Sequence, residues 1–478
     1  MHSARRPPRT PENGEYRGLS FWHETCGDDL TPRPALAGDV EADVAIVGAG
    51  LTGLWIAWYL LQRDPGLRVV LIEREVAGFG ASGRNGGWCS ALFPQSTAGL
   101  ERRHGRDAAV RMRRAMVDTV DEVARAAAEA GIAFDYAKGG TVAFARNAAQ
   151  LAAARAEVEQ ARSYGVDALE LWGAERVRAA GTRRGTHALG AVFDPACARI
   201  HPAKLVRGLA RAVEHRGATI HERTEVLEWS GRGAGTAGGA SVRTDRGVVR
   251  ADRVVIATEG YAPTARQTHR RVLPMYSLMI ATEPLPESVW DEIGIAHGQT
   301  FTDQRHLIVY GQRTADDRFV FGGRGAPYHF GSRIDPAFDR VPRVFRHLAA
   351  TLAELFPQLP AFEVTHAWGG PLGVPRDWHA SVRYDPASGV ASAGGYVGDG
   401  LSTTNLAGRT LADLLTGTRS ELTELPWVDH RSPDWEVEPL RWVAANAGTA
   451  AMAFADREER LTGRPSLIAK LMGPLTGH

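Results

Sequence analysis

The chain has 478 residues, 44% hydrophobic and 23% charged, with a formal net charge of +1 at pH 7. That length buries a large core and suits two interleaved domains better than one. The near-zero charge argues against a nucleic-acid partner or an anionic membrane surface, and no apolar run approaches the ~20 residues of a membrane span. Cys26, Cys89 and Cys197 are widely spaced with no CxxC, which argues against a disulfide framework or zinc site and suits the cytoplasm.

Residues 1–40 read as a lead-in. The first eighteen are charged and rich in Pro and Gly, the pattern of disorder rather than of a signal peptide, and Phe21 and Trp22 beyond them read as a packing anchor. From Asp43 the pattern becomes regular. A buried strand, Val44 to Val47, leads into Gly48-Ala49-Gly50-Leu51-Thr52-Gly53, then a helix to about Arg63, then a second strand from Arg68 to Ile72 that ends on Glu73 and Arg74. This βαβ unit holds the ADP half of a dinucleotide. Gly48 permits the tight turn, Gly50 lets backbone approach the pyrophosphate, and Gly53 lets helix and strand pack closely. The helix N-terminus offers N–H groups to the anion, and Glu73 can accept the ribose hydroxyls.

Leu100 to Gly131 has helical spacing, Phe134 to Ala145 reads as strand-like, and Ala148 to Tyr164 as a second alanine-rich helix. A strand to Phe193, a helix from Pro202 to Arg216 and strands Thr219 to Trp229 and Arg253 to Ala257 return the chain to α/β. Gly231 to Ala240 reads as a surface hairpin loop, with no GK[ST] to make it a phosphate loop. Residues 272–325 alternate with period two as antiparallel strands, and a helix follows from Val341 to Leu355. The expected fold class is α/β: a Rossmann-like dinucleotide-binding domain (41–100, 186–270 and 366–425). Around it runs a discontinuous substrate domain on an antiparallel sheet (101–185 and 271–365), with a helical tail at 426–478 that packs on the cofactor domain or on a second subunit.

Three further segments favour FAD over NAD. The first is Gly80-Ala81-Ser82-Gly83-Arg84-Asn85-Gly86-Gly87, whose small residues let backbone pass close to a flat ring while Arg84 adds positive charge. The second pairs the backbone of Val226, placed to meet adenine, with the turn Thr258 to Gly260 under the ribityl chain. The third is Gly398-Asp399-Gly400-Leu401-Ser402-Thr403-Thr404, which opens a helix toward the flavin pyrimidine edge with Ser402 or Thr403 as N-cap.

These residues resemble the D-amino acid oxidase/glycine oxidase superfamily of FAD proteins, and within it the γ-glutamylputrescine oxidase-like branch. The resemblance rests on PRPALAGDVEADVAIVGAGLTGL, VAGFGASGRNGG, ARIHPAKLVRGLARA, PMYSLMIATEPL, FVFGGRG and GDGLSTTNLAGRTLADLL. It implies bound FAD, a glutathione-reductase-like FAD-binding domain plus a substrate domain on the antiparallel sheet, and oxidation of a C–N bond. Amino-acid oxidases of the superfamily carry a GLRP-type segment whose Arg grips the substrate carboxylate. Here Trp368 to Pro375 lacks that Arg, and Arg376 is displaced by a proline, which points to an amine without an α-carboxylate. Relatives with covalent flavin use a Cys in the C-terminal half or a His after the second strand. No Cys lies beyond Cys197, and Gly87-Trp88-Cys89 occupies the His position, so noncovalent FAD is expected, with Cys89 the one exception to consider.

The resemblance implies hydride transfer from a neutral amine to flavin N5 in an apolar, aromatic pocket, with oxygen or another electron acceptor completing the cycle. No side chain is obligatory for this chemistry. Tyr276, Tyr310, Trp368 and Asp399 are the pocket candidates, with Trp88, Trp378 and His379 behind them. His366 reads as a strand-end histidine in preference to a proton acceptor. The alternatives are an amino-acid or N-methyl amino-acid oxidase with a relocated carboxylate anchor, or an electron-transfer flavoprotein subunit.

Overall fold

The computed structural model describes residues 16–179, 188–233 and 239–472. Two large sheets organise them. The first is built on Val40–Val47, whose last four residues are all buried, as expected of a parallel strand covered on both faces. It pairs in parallel with Val69–Ile72 on one side and Val248–Ile256 on the other. Thr219–His221 extends the first edge in parallel, and Val390–Gly394 with Ser381–Asp385 extends the second. Helix Leu51–Arg63 packs against both Pro202–His215 and Gly400–Thr416 beside this sheet. A Cβ on Gly408 would lie 2.8 Å from the Trp55 carbonyl carbon, so only glycine permits that helix contact.

The second sheet has the order Val364–Val374, Leu273–Thr282, Phe319–Gly323, Val309–Arg313, Thr300–Asp303, Thr141–Ala145, Gly190–Asp194, Glu170–Gly173. Every pairing in it is antiparallel except that of Thr300–Asp303 with Thr141–Ala145. Pro342–Leu355 packs on the sheet through Val344, Leu348, Thr351, Leu352 and Leu355, one helical stripe. The tail forms the helix Leu440–Thr462, tied to this half by Asn446 on Tyr328 and by Asp456 on the N–H groups of His306 and Leu307.

Several expected elements differ in extent. The stretch from Leu100 to Gly131 is two helices, Thr97–His104 and Arg106–Glu129, broken at Gly105 with φ +82°. The stretch from Phe134 is strand only at Thr141–Ala145, because Gly140 takes φ +78°. Thr219 to Trp229 divides at Arg223 (φ +54°) into a parallel edge strand and the hairpin strand Val226–Ser230. The chain also stays in the second sheet longer than expected: Val364–Val374 pairs with Leu273–Thr282, so the return to the first sheet comes at Ser381 rather than His366. Gly190–Asp194 likewise belongs to the second sheet. The hairpin expected at Gly231 to Ala240 joins two antiparallel strands, but its residues 234–238 lie outside the described residues. So do residues 1–15 of the lead-in. Tyr16 is fully buried and donates to Glu75, so the last residues of the expected disordered stretch are packed.

Candidate cofactor and substrate site

A cavity of about 640 Å³ runs from the Gly48–Leu51 turn, past the ends of the parallel strands, and under the second sheet. At its first end, Gly48 takes φ +105°, and a Cβ there would stand 2.7 Å from Ala257 O. A Cβ on Gly53 would stand 2.1 Å from Gly48 O, so the helix packs on its own strand only as glycine. The helix Leu51–Arg63 starts at Gly50 with no side-chain cap, leaving its N-terminus toward the cavity, while Leu51 N–H donates to Ser82 Oγ at 2.8 Å. Glu73 lines the cavity and ties its rim together. One carboxylate oxygen accepts from Ala49 N–H and the other from Glu75 N–H, each at 3.0 Å. Burial raises its pKa, and these two N–H bonds oppose the rise.

The Gly80–Gly87 loop forms one wall. Asn85 braces it, donating to Ala81 O and Ser82 O and accepting from Gly87 N–H. Gly86 and Gly87 meet the second sheet directly: a Cβ on Gly86 would lie 2.5 Å from Tyr310 Cε2, and one on Gly87 2.1 Å from Gln312 Nε2. Arg84 lines the cavity, yet its guanidinium is engaged by Asp339 (2.6 Å), Gly369 O (2.9 Å) and the Tyr261 hydroxyl (2.6 Å). Its charge therefore fastens the loop to the second half, and the free positive charge expected there is neutralised by Asp339. On the opposite side Val226, Thr258 and Gly260 line the cavity. Glu259 between them is at φ +42° and accepts from Gly373 N–H at 2.7 Å and Tyr396 N–H at 3.0 Å.

The helix Gly400–Thr416 opens at the far end. Gly398, Asp399, Gly400, Leu401 and Thr404 line the cavity, whereas Ser402 and Thr403 do not. The N-cap is Asp399, without a side-chain bond, rather than Ser402 or Thr403, whose hydroxyls donate to Ser90 O and Asp399 O. The first turn thus presents bare N–H groups. Burial pushes the Asp399 carboxyl up to about 6, against the pull of Arg324.

Of the other expected residues, Gly48, Gly50, Leu51, Thr52, Glu73, Arg74, Gly80, Ala81, Ser82, Arg84, Asn85 and Gly86 line the cavity, while Ala49, Gly53 and Gly87 shape it from behind. Among the pocket candidates, Tyr310 and Asp399 line it, together with Trp88 and Trp378. Tyr310 shares a 2.7 Å hydrogen bond with Ser277 and stands edge-on to Trp88, ring centres 6.1 Å apart. Tyr276 and Trp368 are elsewhere. Tyr276 packs against His329 and Phe338, because alternation along Leu273–Thr282 sends it to the face opposite Ser277. Trp368 donates to Arg84 O and packs in the Phe21 and Trp22 cluster, which is the expected anchor. His379 is buried beside His430, and His366 pairs with Glu24 on the surface. Cys89 is fully buried and outside the lining, with a thiol pKa raised by burial. Glu259, within the expected Thr258 to Gly260 turn, also lines the cavity, as do Arg324, Tyr261, Ser277 and Tyr396, which were not expected as site residues. Arg324 had a signal in the FVFGGRG segment and Ser277 in PMYSLMIATEPL; Tyr261 and Tyr396 lay outside the quoted segments.

A strand–helix turn with an acid at the next strand tip, continuous with a cavity roofed by the second sheet, defines a dinucleotide-binding α/β protein. The family model "FAD dependent oxidoreductase" matches residues 43–414, and the chain belongs to this D-amino acid oxidase family. It is 30% identical to "Probable oxidoreductase OrdL" of Rhizobium meliloti over 84% of this chain and 89% of the relative. It is also 30% identical to γ-glutamylputrescine oxidoreductase of Escherichia coli, over 83% and 89%. Glycine oxidase from Geobacillus kaustophilus shares the fold, with a TM-score of 0.69 at 21% identity, over 82% of this chain and 99% of that one. No helix among the described residues is long and apolar enough to cross a membrane.

Proposed function

We propose that the chain oxidises the C–N bond of a small-molecule amine, using noncovalently held FAD. The observation that carries this reading is the continuity of one cavity from the Gly48–Gly53 turn to the aromatic walls of Trp88, Tyr310 and Trp378. The residues fit FAD: a helix N-terminus at Gly50 with no N-cap side chain for the pyrophosphate, Glu73 for the ribose, and a second helix start at Gly400 toward the electron-accepting ring. Bound there, FAD supplies a two-electron acceptor. The chain's own residues position the amine and exclude water. The walls of Trp88, Tyr310 and Trp378 disfavour the ammonium form, so the amine enters neutral, with its lone pair available to the developing imine. Loss of a hydride and a proton gives the imine. Water then adds and amine or ammonia leaves, giving a carbonyl. Oxygen taking the two electrons and two protons gives hydrogen peroxide. Noncovalent attachment is favoured by the lining, whose one cysteine, Cys197, is held beside the Thr300 hydroxyl with its thiol pushed up to about 11 by burial.

The test is anaerobic mixing of holoprotein with a panel of amines and amino acids. Loss of the yellow flavin absorbance with at least one of them is expected, and peroxide on re-aeration separates oxidase from dehydrogenase. A flavin that stays oxidised with every member assigns the chain instead to electron transfer or to structural FAD binding.

A further inference from the structure

The cavity does not end at Tyr310. Thr302, Ala143 and Val192 line it too, and with Tyr310 they stand at one register on four adjacent strands of the second sheet. Neighbouring strands lie about 4.8 Å apart, so three steps carry the cavity roughly 14 Å beyond Tyr310. Thr141 and Asp194, two positions along on the same face, line this arm as well. Val142 and Phe144 alternate to the opposite face and belong to the core. The helix Ala148–Ser163 packs on the lining face through Ala154 and Val158, and Glu157 from the same helix lines the cavity. Glu157 is exposed, so the arm reaches solvent there.

The walls of the arm are small or apolar, and its far end is charged. Glu157 accepts one hydrogen bond, from Gln304 Nε2 at 3.0 Å. Asp194 is paired with Arg113 at 3.3 Å and Asp303 with Arg305 at 2.6 Å. Arg146 lies 3.7 Å from Asp303 and is itself held by Glu354 at 3.0 Å. The cation whose field reaches Glu157 is Arg113, which Asp194 already engages. Four carboxylates thus face three guanidinium groups, and Glu157 is the acid left without a cation among the described residues.

We infer that the arm takes the carbon chain of the amine substrate and that Glu157 receives a second cationic group at its far end. The substrate class is then chain amines with a distal ammonium, of which α,ω-diamines are the simplest. This rests on the proposed amine oxidation at the Tyr310 end. The two nitrogens meet opposite surroundings. The reacting one stands among aromatic walls that favour its neutral form, whereas the distal one meets solvent and a carboxylate and keeps its charge.

Holoprotein is mixed anaerobically with straight-chain primary monoamines and with α,ω-diamines of matched length, and the second-order rate of flavin reduction is compared. The rate should rise with chain length, by up to about fourfold per methylene, until the chain fills the arm. At that length the diamine should exceed its monoamine by roughly 3- to 15-fold, between the effect of an exposed ion pair and that of a charge-assisted hydrogen bond. Glu157→Gln keeps the volume and should bring this ratio close to one. Glu157→Lys reverses the charge and should bring it below one. A ratio of one in wild type at every length, or a ratio unchanged in Glu157→Gln, overturns the inference while amine oxidation stands. Binding to oxidised holoprotein is read separately from the perturbed flavin spectrum. Diamine binding that weakens in Glu157→Gln, with no flavin reduction by any amine, overturns amine oxidation and keeps the arm. Neither binding nor reduction overturns both.

Discussion

Glu73 offers the sharpest test of where the cofactor lies. Its two carboxylate oxygens hold Ala49 N–H and Glu75 N–H at 3.0 Å while the group faces the cavity. Glu73→Ala removes the acceptor expected for the ribose hydroxyls and frees both rim N–H groups. A hydrogen bond to a charged group contributes roughly 1.5–3 kcal/mol, and each 1.4 kcal/mol is about tenfold in affinity. One such bond lost weakens FAD roughly 10- to 150-fold, and loosening of the rim adds to this. Glu73→Gln preserves volume, but its NH₂ must face one of the two rim N–H donors, so it should recover only part of the loss. The assay is the flavin-to-protein absorbance ratio after desalting, followed by titration of apoprotein with FAD. Stoichiometric flavin in Glu73→Ala, with a Kd within about threefold of wild type, would refute the placement of the ribose.

Three further outcomes follow from the same geometry. Gly53→Ala puts a Cβ 2.1 Å from Gly48 O, so helix and turn must separate; loss of bound flavin and about 1–3 kcal/mol of stability are expected, read by absorbance and denaturant unfolding. Arg84→Leu leaves Asp339 beside the cavity without its cation, and removing one partner of a buried pair costs about 3–5 kcal/mol, which denaturant unfolding of the apoprotein should show. Burial would raise the Asp377 carboxyl, but hydrogen bonds from His430 and Ser432 outweigh it and hold it below its ordinary range. Its contribution is therefore present above the unfolded carboxylate pKa and lost as the pH falls through the folded one. Asp377→Asn should destabilise the protein at pH 7, with the difference from wild type shrinking on acidification. A difference independent of pH would contradict this assignment.

The nucleotide end of the site was legible in the sequence because its glycines and Glu73 are local. Each acts on neighbours a few positions away, in a strand–turn–helix whose pattern has a single physical reading. The substrate end was less so. Tyr310 and Tyr276 look alike in period-two strands, and only the pairing register decides which face each takes. Trp368 is a large aromatic on a strand, and its burial in the Phe21 and Trp22 cluster depends on where the N-terminal segment docks. Arg324 lines the cavity from the end of Phe319–Gly323, far from Trp368–Pro375 in sequence, and only the sheet order brings the two strands close. Arg84 shows the limit from another side, because Asp339, which engages its charge, is equally remote in the chain.

The central claim is that FAD held in this cavity takes electrons from a substrate C–N bond. Its most direct test is the rate of anaerobic flavin reduction in a single turnover, with the best substrate of the panel and with the same compound deuterated at the carbon next to nitrogen. Saturable reduction that slows on deuteration is expected, with the carbonyl product equal to the flavin reduced. No reduction by any amine or amino acid, or reduction without a carbonyl product, would contradict it.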